Sequence, residues 1–291
     1  MPGPYELLLL PFVEYGFMRR ALVACFGLAI GCGPIGVFLI LRRMSLVGDA
    51  MSHAVLPGAA IAFLMFGFSL TAMTIGGFLV GMAVALLAGS VTRLTPLRED
   101  ASFAALFLIS LALGVILVSA NGSSVDLMHL LFGAILAVDN PALVLVAAIA
   151  SVSVATLAVI FRALVIECLD PAFLRSVHGG GAGYHYLFLV LVVLNLVAGF
   201  QSLGTLMTVG LMMLPAASAR FWTAGIGPML VFSAAAAFLC GYIGLLVSYH
   251  ANLPSGPSII LTAGALYVFS VAFGRHGGLV PGYLRAPHYQ R

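Results

Sequence analysis

The sequence predicts an all-α polytopic membrane protein with eight to nine transmembrane helices. Of its 291 residues, 63% are hydrophobic and only 7% are charged, and its mean hydropathy is +1.19. Soluble domains usually carry about 25% charged residues, so the apolar surface of this chain has to face lipid. Uncharged runs recur along almost the whole chain, and most have the length that a helix needs to cross a bilayer.

Nine apolar runs, bounded by Gly, Pro and Arg, are the candidate spans. They cover residues 21–41, 50–66, 71–92, 101–119, 141–161, 184–200, 203–219, 227–247 and 257–274. The run 203–219 is short and contains Gly204, Gly210 and Pro215, so it predicts either a ninth crossing or a broken or re-entrant helix that lines a cavity. We expect one transmembrane domain over residues 1–276 and a cytoplasmic tail, residues 277–291, without regular structure.

The arginines predict the orientation of the chain, because cytoplasmic loops collect positive charge. Most of them fall on one side of the membrane if residues 184–219 form a hairpin, and the C-terminus then lies in the cytoplasm. Arg19 and Arg20 are left on the outer side, or else the first segment is an interfacial helix at the inner face. The inner set comprises Arg42, Arg43, Arg93, Arg98, Arg162, Arg175, Arg220, Arg275 and Arg285.

The sequence excludes several classes of enzyme. All 12 basic residues are Arg, so the chain has no Lys for a P-loop or a Schiff base. It contains no HExxH or GxSxG motif, and no GxGxxG that opens a βαβ unit. Its arginines are not interleaved with aromatic residues, which argues against binding to nucleic acid.

The longest polar connection, residues 162–183, predicts a short amphipathic helix on the cytoplasmic side. Asp170 can cap a helix that starts at Pro171, and the glycines at 179–181 can end it. Such a helix would present Phe173, Leu174 and Val177 to a partner protein. A simple connector would have the same caps, so both interpretations stand on the residues alone.

Asp49 and His53 are the first candidate functional residues. Ionisable residues inside an apolar segment are costly and indicate function. Four positions apart on a helix, their side chains lie on one face about one turn apart. A carboxylate and an imidazole so placed can hold one divalent cation if water, another helix or a second subunit completes the site. The alternative is a capping aspartate beside a histidine packed in the core.

A second pair, Asp126 and His129, lies on the predicted outer side. Asp126 follows Asn121-Gly122-Ser123-Ser124 and is well placed to cap a short helix. A structural role and a metal-ligating role are both compatible with this pattern.

Four segments, taken in order, resemble the ABC-3 group of zinc and manganese ABC importer permeases. The first and most specific runs from Arg42 through Asp49 to His53 and Ala54. The blocks spread over about residues 17–272 and imply a type II importer-like permease fold. The other three segments are Asp126-Leu127-Met128 with Leu131-Phe132-Gly133, Gly204-Thr205-Leu206 through Leu214-Pro215-Ala216 to Arg220, and Pro254-Ser255-Gly256-Pro257-Ser258.

The resemblance implies the membrane subunit of a bacterial importer in the cytoplasmic (inner) membrane. Its cargo would be a divalent metal ion from the periplasm, zinc in first place and manganese next, with no permanently bound cofactor. The implied partners are a cytoplasmic ABC ATPase, a periplasmic metal-binding protein and a second copy of the permease. The family's metal-path acid and histidine carry over to Asp49 and His53. Its ATPase-docking loop carries over to Asp170, Pro171, Phe173, Leu174 and Val177.

Two other functions fit the same residues. A proton-coupled secondary metal carrier would use Asp49 and His53 as exchanging groups and need no ATPase. A membrane anchor or sensor would bind a partner through residues 162–183 and would tolerate the loss of Asp49.

Overall fold

The regular structure of the chain is helical wherever the computed structural model describes it. The described residues are 4–67, 69–120, 138–169 and 181–284. Their helices are α1 (Pro4–Leu8), α2 (Leu10–Glu14), α3 (Gly16–Leu41), α4 (Val47–Ala54), α5 (Leu56–Phe66), α6 (Leu70–Leu94), α7 (Glu99–Ala120), α8 (Asn140–Leu169), α9 (Gly181–Leu203), α10 (Thr205–Trp222), α11 (Ile226–Ala251), α12 (Ser255–Phe273) and α13 (Leu279–Leu284).

Among the described residues, eight helical stretches are long and apolar enough to cross a membrane. They are α3, α4 together with α5, α6, α7, α8, α9, α11 and α12. This confirms the predicted all-helical polytopic fold and its lower span count.

Helix α10, which occupies the doubtful run 203–219, is continuous through Pro215. Its C-terminal end lies beside the end of α12, where the Trp222 indole N–H donates to the Ser270 hydroxyl over 2.9 Å. The backbone N–H of His276 donates to the carbonyl of Phe221 at the same end. Helix α10 is therefore continuous and does not break midway. It is not among the eight stretches that are long and apolar enough to cross a membrane, and its role in lining a cavity stays a prediction.

Helix α3 is at the centre of the bundle, where it packs against α8, α10 and α11. Small residues permit this close approach, as is usual for helices packed in lipid. A Cβ atom at Gly36 would overlap the backbone of Met212 in α10. A Cβ atom at Gly33 would lie 3.0 Å from the backbone of Ala234 in α11.

A buried polar contact joins α3, α8 and α9 inside the apolar bundle. The Asn195 amide of α9 donates to the Ser153 hydroxyl of α8 over 2.6 Å and to the carbonyl of Leu191 over 2.9 Å. Its oxygen lies 4.0 Å from the Cys32 sulfur of α3. Because no water competes in such an interior, these contacts favour one arrangement of the three helices.

Five residues, 42–46, connect α3 to α4. Arg43 has a positive φ of 58°, and the buried Met44 donates its N–H to the carbonyl of Leu39 over 2.9 Å. The N–H of Val47 then donates to the carbonyl of Met44, and α4 begins. The turn thereby connects the end of the central helix directly to the segment that carries Asp49 and His53.

Two boundaries differ from the sequence prediction. Helix α8 continues to Leu169 and α9 begins at Gly181, so the predicted loop 162–183 is helical at both of its ends. The tail predicted to lack regular structure contains the helix Leu279–Leu284.

Candidate functional site

Asp49 and His53 both lie on α4, as their spacing predicts. Asp49 is in the first turn of the helix, where the helix dipole favours a negative charge, and His53 is in its last turn. The Ser52 hydroxyl donates to the carbonyl of Asp49 over 2.7 Å, which ties down the backbone at this point.

The two side chains approach each other on the open face of α4. His53 Nε2 lies 3.8 Å from Asp49 Oδ1, and the side chains are 27% and 64% exposed, respectively. The other residues of α4 are buried, namely Val47, Gly48, Ala50, Met51, Ser52 and Ala54. The His53 ring also packs against Phe107 of α7, with 5.8 Å between ring centroids. The exposed face of this helix is therefore the polar one.

This arrangement offers one carboxylate and one imidazole to a cation. In the part of the chain that the structure describes, no group of three or more His, Cys, Asp or Glu residues is placed to hold a metal ion. The pair can thus supply two ligands of a site whose other ligands come from elsewhere. Such a partial site suits an ion in transit better than an ion held permanently.

The other predicted site residues lie outside the described residues. Asp126 and His129 belong to segment 121–137, and the predicted docking residues Asp170, Pro171, Phe173, Leu174 and Val177 belong to segment 170–180. Their roles stay predictions. The structure does place the helices on either side of the docking segment, since α8 ends at Leu169 and α9 begins at Gly181.

A cluster of charged residues, which sequence reasoning missed, joins the ends of five helices. Arg42 follows the end of α3 and pairs with Glu167 near the end of α8, with 2.5 Å between Nη2 and Oε2. Arg42 Nη1 also donates to His185 Nδ1 of α9 over 3.1 Å. The side chains of Arg42, Glu167 and His185 are 7%, 10% and 4% exposed. The Arg42 guanidinium lies over the Phe188 ring, 4.7 Å from its centroid.

Two further charges complete this cluster. The Nη2 atom of Arg93, in α6, lies 3.9 Å from Glu167 Oε1. The Oε1 atom of Glu99, at the start of α7, lies 3.7 Å from His185 Nδ1. A cavity of about 300 Å³ opens beside them and is lined also by Arg43 and Cys168. We refer to the five residues Arg42, Arg93, Glu99, Glu167 and His185 as the inner ion cluster.

The only sequence signal for the inner ion cluster was the position of its charges at the ends of apolar runs. Arg42 and His185 are 143 positions apart, so their contact depends on how the helices pack. Two arginines balance two glutamates around a buried histidine. This balance accounts for the charges of Arg42 and Glu167, which are nearly excluded from water, whereas the side chains of Arg93 and Glu99 are 32% and 31% exposed.

Comparisons with known proteins agree with the resemblance noted in the sequence. The model of the ABC 3 transport family matches residues 14–274. The manganese import system permease protein ScaB of Streptococcus parasanguinis is 34% identical over 88% of this chain and 90% of its own length. The manganese transport system membrane protein MntC of Listeria innocua is 34% identical over 92% and 94%.

A solved structure has the same fold. PsaBC from Streptococcus pneumoniae, in complex with a Fab, superimposes with a TM-score of 0.81 at 30% identity, over 95% of this chain and 98% of the other. The fold, the family model and the relatives agree over nearly the full length. The chain therefore belongs to the ABC 3 transport family and is a multi-pass membrane permease of the metal-importing ABC transporters.

Proposed function

We propose that the chain carries a divalent metal ion into the cytoplasm and that the ion meets Asp49 and His53 on its way. The observation that carries this proposal is the open polar face of α4, where a carboxylate and an imidazole lie 3.8 Å apart in a metal-importing permease. Two ligands hold an ion without enclosing it, so the ion can leave again.

Manganese is the first candidate cargo and zinc the second, which reverses the order expected from the sequence. The relatives ScaB and MntC are both named for manganese. An oxygen ligand paired with a nitrogen ligand accepts manganese, iron or zinc, so the two residues alone do not choose among them. The choice then depends on the ligands that complete the site.

We further propose three partners, which are a separate ATPase, a metal-binding protein on the outer side and a second copy of this chain. The absence of Lys supports the separate ATPase, because a Walker A site needs one. The 64% exposure of the Asp49 side chain leaves space for ligands from a second copy. The ATPase would dock between α8 and α9, on Asp170, Pro171, Phe173, Leu174 and Val177.

Uptake of labelled manganese tests the proposal and its energy source. The chain is expressed with its ATPase and binding protein in bacteria that lack their own manganese and zinc importers. We expect uptake that stops when the ATPase is made inactive, and Phe173→Asp is expected to have the same effect because a charge replaces the docking side chain.

Each proposed feature has its own contradicting result in this assay. Uptake that survives the inactive ATPase and stops with an uncoupler would identify a proton-coupled carrier instead. Uptake of zinc but not of manganese would restore the order expected from the sequence. Normal uptake by Phe173→Asp would remove the docking site from residues 170–180.

A further inference from the structure

We propose that Arg42 and Glu167 of the inner ion cluster are positioning residues that transmit the movement of α8 and α9 to Asp49 and His53. The inference rests on the proposed function, in which an ATPase docks between α8 and α9. Neither residue lies in the metal pair itself, and their contact connects different helices at the ends that the arginine pattern assigns to the cytoplasmic side.

The cluster makes α3, α8 and α9 move as a unit. Arg42 binds Glu167 of α8 and His185 of α9 at one end of the three helices. Further along the same helices, Asn195 binds Ser153 and lies beside Cys32. Contacts at two levels resist both tilting and sliding, so a displacement of α8 and α9 carries the end of α3 with it.

The first connection from the cluster to the metal pair runs through the chain itself. Arg42 precedes Asp49 by seven residues, across the turn that buries Met44. Because Met44 binds back to Leu39, this turn is a fixed corner and not a slack linker. A shift of Arg42 is therefore passed directly to the start of α4.

The second connection runs through α7. Glu99 at the start of this helix lies 3.7 Å from His185, and Phe107, eight residues further on, packs against the His53 ring. Eight residues of helix span about 12 Å, or roughly two turns. The inner ion cluster is thus connected to Asp49 through the start of α4 and to His53 through α7.

Charge is suited to this task because a buried ion pair tolerates little change in geometry. An apolar contact allows helices to slide at small cost, whereas separating Arg42 from Glu167 takes the nearest opposite charge away from two nearly buried side chains. The ion pair of Arg42 and Glu167 therefore favours discrete arrangements of the helix ends over a continuous range of positions. Coupling between two sites requires such an element with discrete states.

The test is the number of manganese ions imported per ATP hydrolysed by the complete importer in lipid vesicles. Glu167→Gln and Arg42→Gln remove one charge each, and Arg98→Gln is the matched control. Arg98 is an exposed arginine in the connection before α7 and does not belong to the cluster. We expect Glu167→Gln to lower the ratio about tenfold, a usual size for coupling between two sites, without changing the KM for metal-loaded binding protein.

The double variant Arg42→Gln/Glu167→Gln keeps the test decisive if a single variant fails to assemble. The double variant removes both charges of the pair, so neither is left without the other. We expect it to lower the number of manganese ions imported per ATP no further than either single variant does, because each single variant already removes the same contact. The control Arg98→Gln is expected to keep the wild-type ratio.

Two results would overturn the inference. One is that the Glu167→Gln variant and the double variant import as many manganese ions per ATP hydrolysed as the wild type does. The other is a parallel loss of uptake and ATP hydrolysis that follows the amount of assembled complex, since a purely structural role predicts that outcome. If the wild-type importer itself shows no ATP-dependent uptake, the proposed function is overturned together with this inference. The failure of the inference alone is different, because the wild-type importer then still takes up manganese.

Discussion

His53 packs against an aromatic neighbour, whereas the side chain of Asp49 is exposed. The ring of Phe107 lies against the imidazole at 5.8 Å, but the Asp49 side chain is 64% exposed. The histidine is therefore the oriented side chain of the pair. The carboxylate is the adaptable one, which agrees with the proposal that it meets an incoming ion.

Phe107→Ala is expected to weaken metal binding without abolishing transport. Aromatic contacts of this kind contribute about 0.5–1.5 kcal/mol, which corresponds to roughly a two- to tenfold rise in the dissociation constant. The measurement is manganese titration of the purified importer. Phe107→Tyr keeps the ring and should bind as the wild type does, and unchanged affinity in Phe107→Ala would show that the contact does not orient His53.

At the residue scale, the sequence predicted the local pair but not the distant one. Asp49 and His53 are four positions apart, and helical geometry alone brings them together. Arg42 and Glu167 meet only because α3 and α8 end beside each other. Nothing local to either residue indicates the other, so their contact could not be derived without the packed structure.

At the scale of helices, the sequence located the spans well and their ends less well. Apolar length identifies a crossing, but the predicted end at residue 161 stopped at the first charge of α8. The helix continues past Arg162 to Leu169. A long arginine side chain can extend along an apolar surface toward water, so one charge near a helix end does not terminate the helix.

Close packing of α3 makes Gly36 the most sensitive small residue of that helix. Gly36→Ala is expected to destabilise the permease by about 1–3 kcal/mol, because the added methyl group overlaps the backbone of Met212. Gly264→Ala in α12 is the matched control, since its Cβ would meet nothing within 4 Å. Alanine is favoured over glycine within a helix by about 0.5–1 kcal/mol.

Thermal unfolding of the two variants in detergent checks this prediction. The unfolding temperature should fall for Gly36→Ala and stay level or rise for Gly264→Ala. Equal stability of both variants would show that α3 and α10 are not packed as closely as described.

At the scale of the whole molecule, the permease combines a tightly packed centre with one open polar face. Helix α3 is enclosed by α8, α10 and α11, while α4 turns Asp49 outward from the bundle. If the pair binds a metal ion as proposed, further ligands from a second copy or from water can reach the ion at this face. The fold thus leaves the side chains of Asp49 and His53 accessible, and the inner ion cluster joins the end of α3, which leads into α4, to the facing ends of α8 and α9.

The most direct test of the account is ATP-dependent manganese uptake by the complete importer in vesicles, for Asp49→Asn and His53→Ala beside His276→Ala. His276 is an exposed histidine at the end of the bundle and belongs to neither the metal pair nor the inner ion cluster. We expect both variants of the pair to lose most uptake, although they assemble with the ATPase as the wild type does, and His276→Ala to keep it. Wild-type uptake by Asp49→Asn and His53→Ala would contradict the assignment of this pair to the metal path.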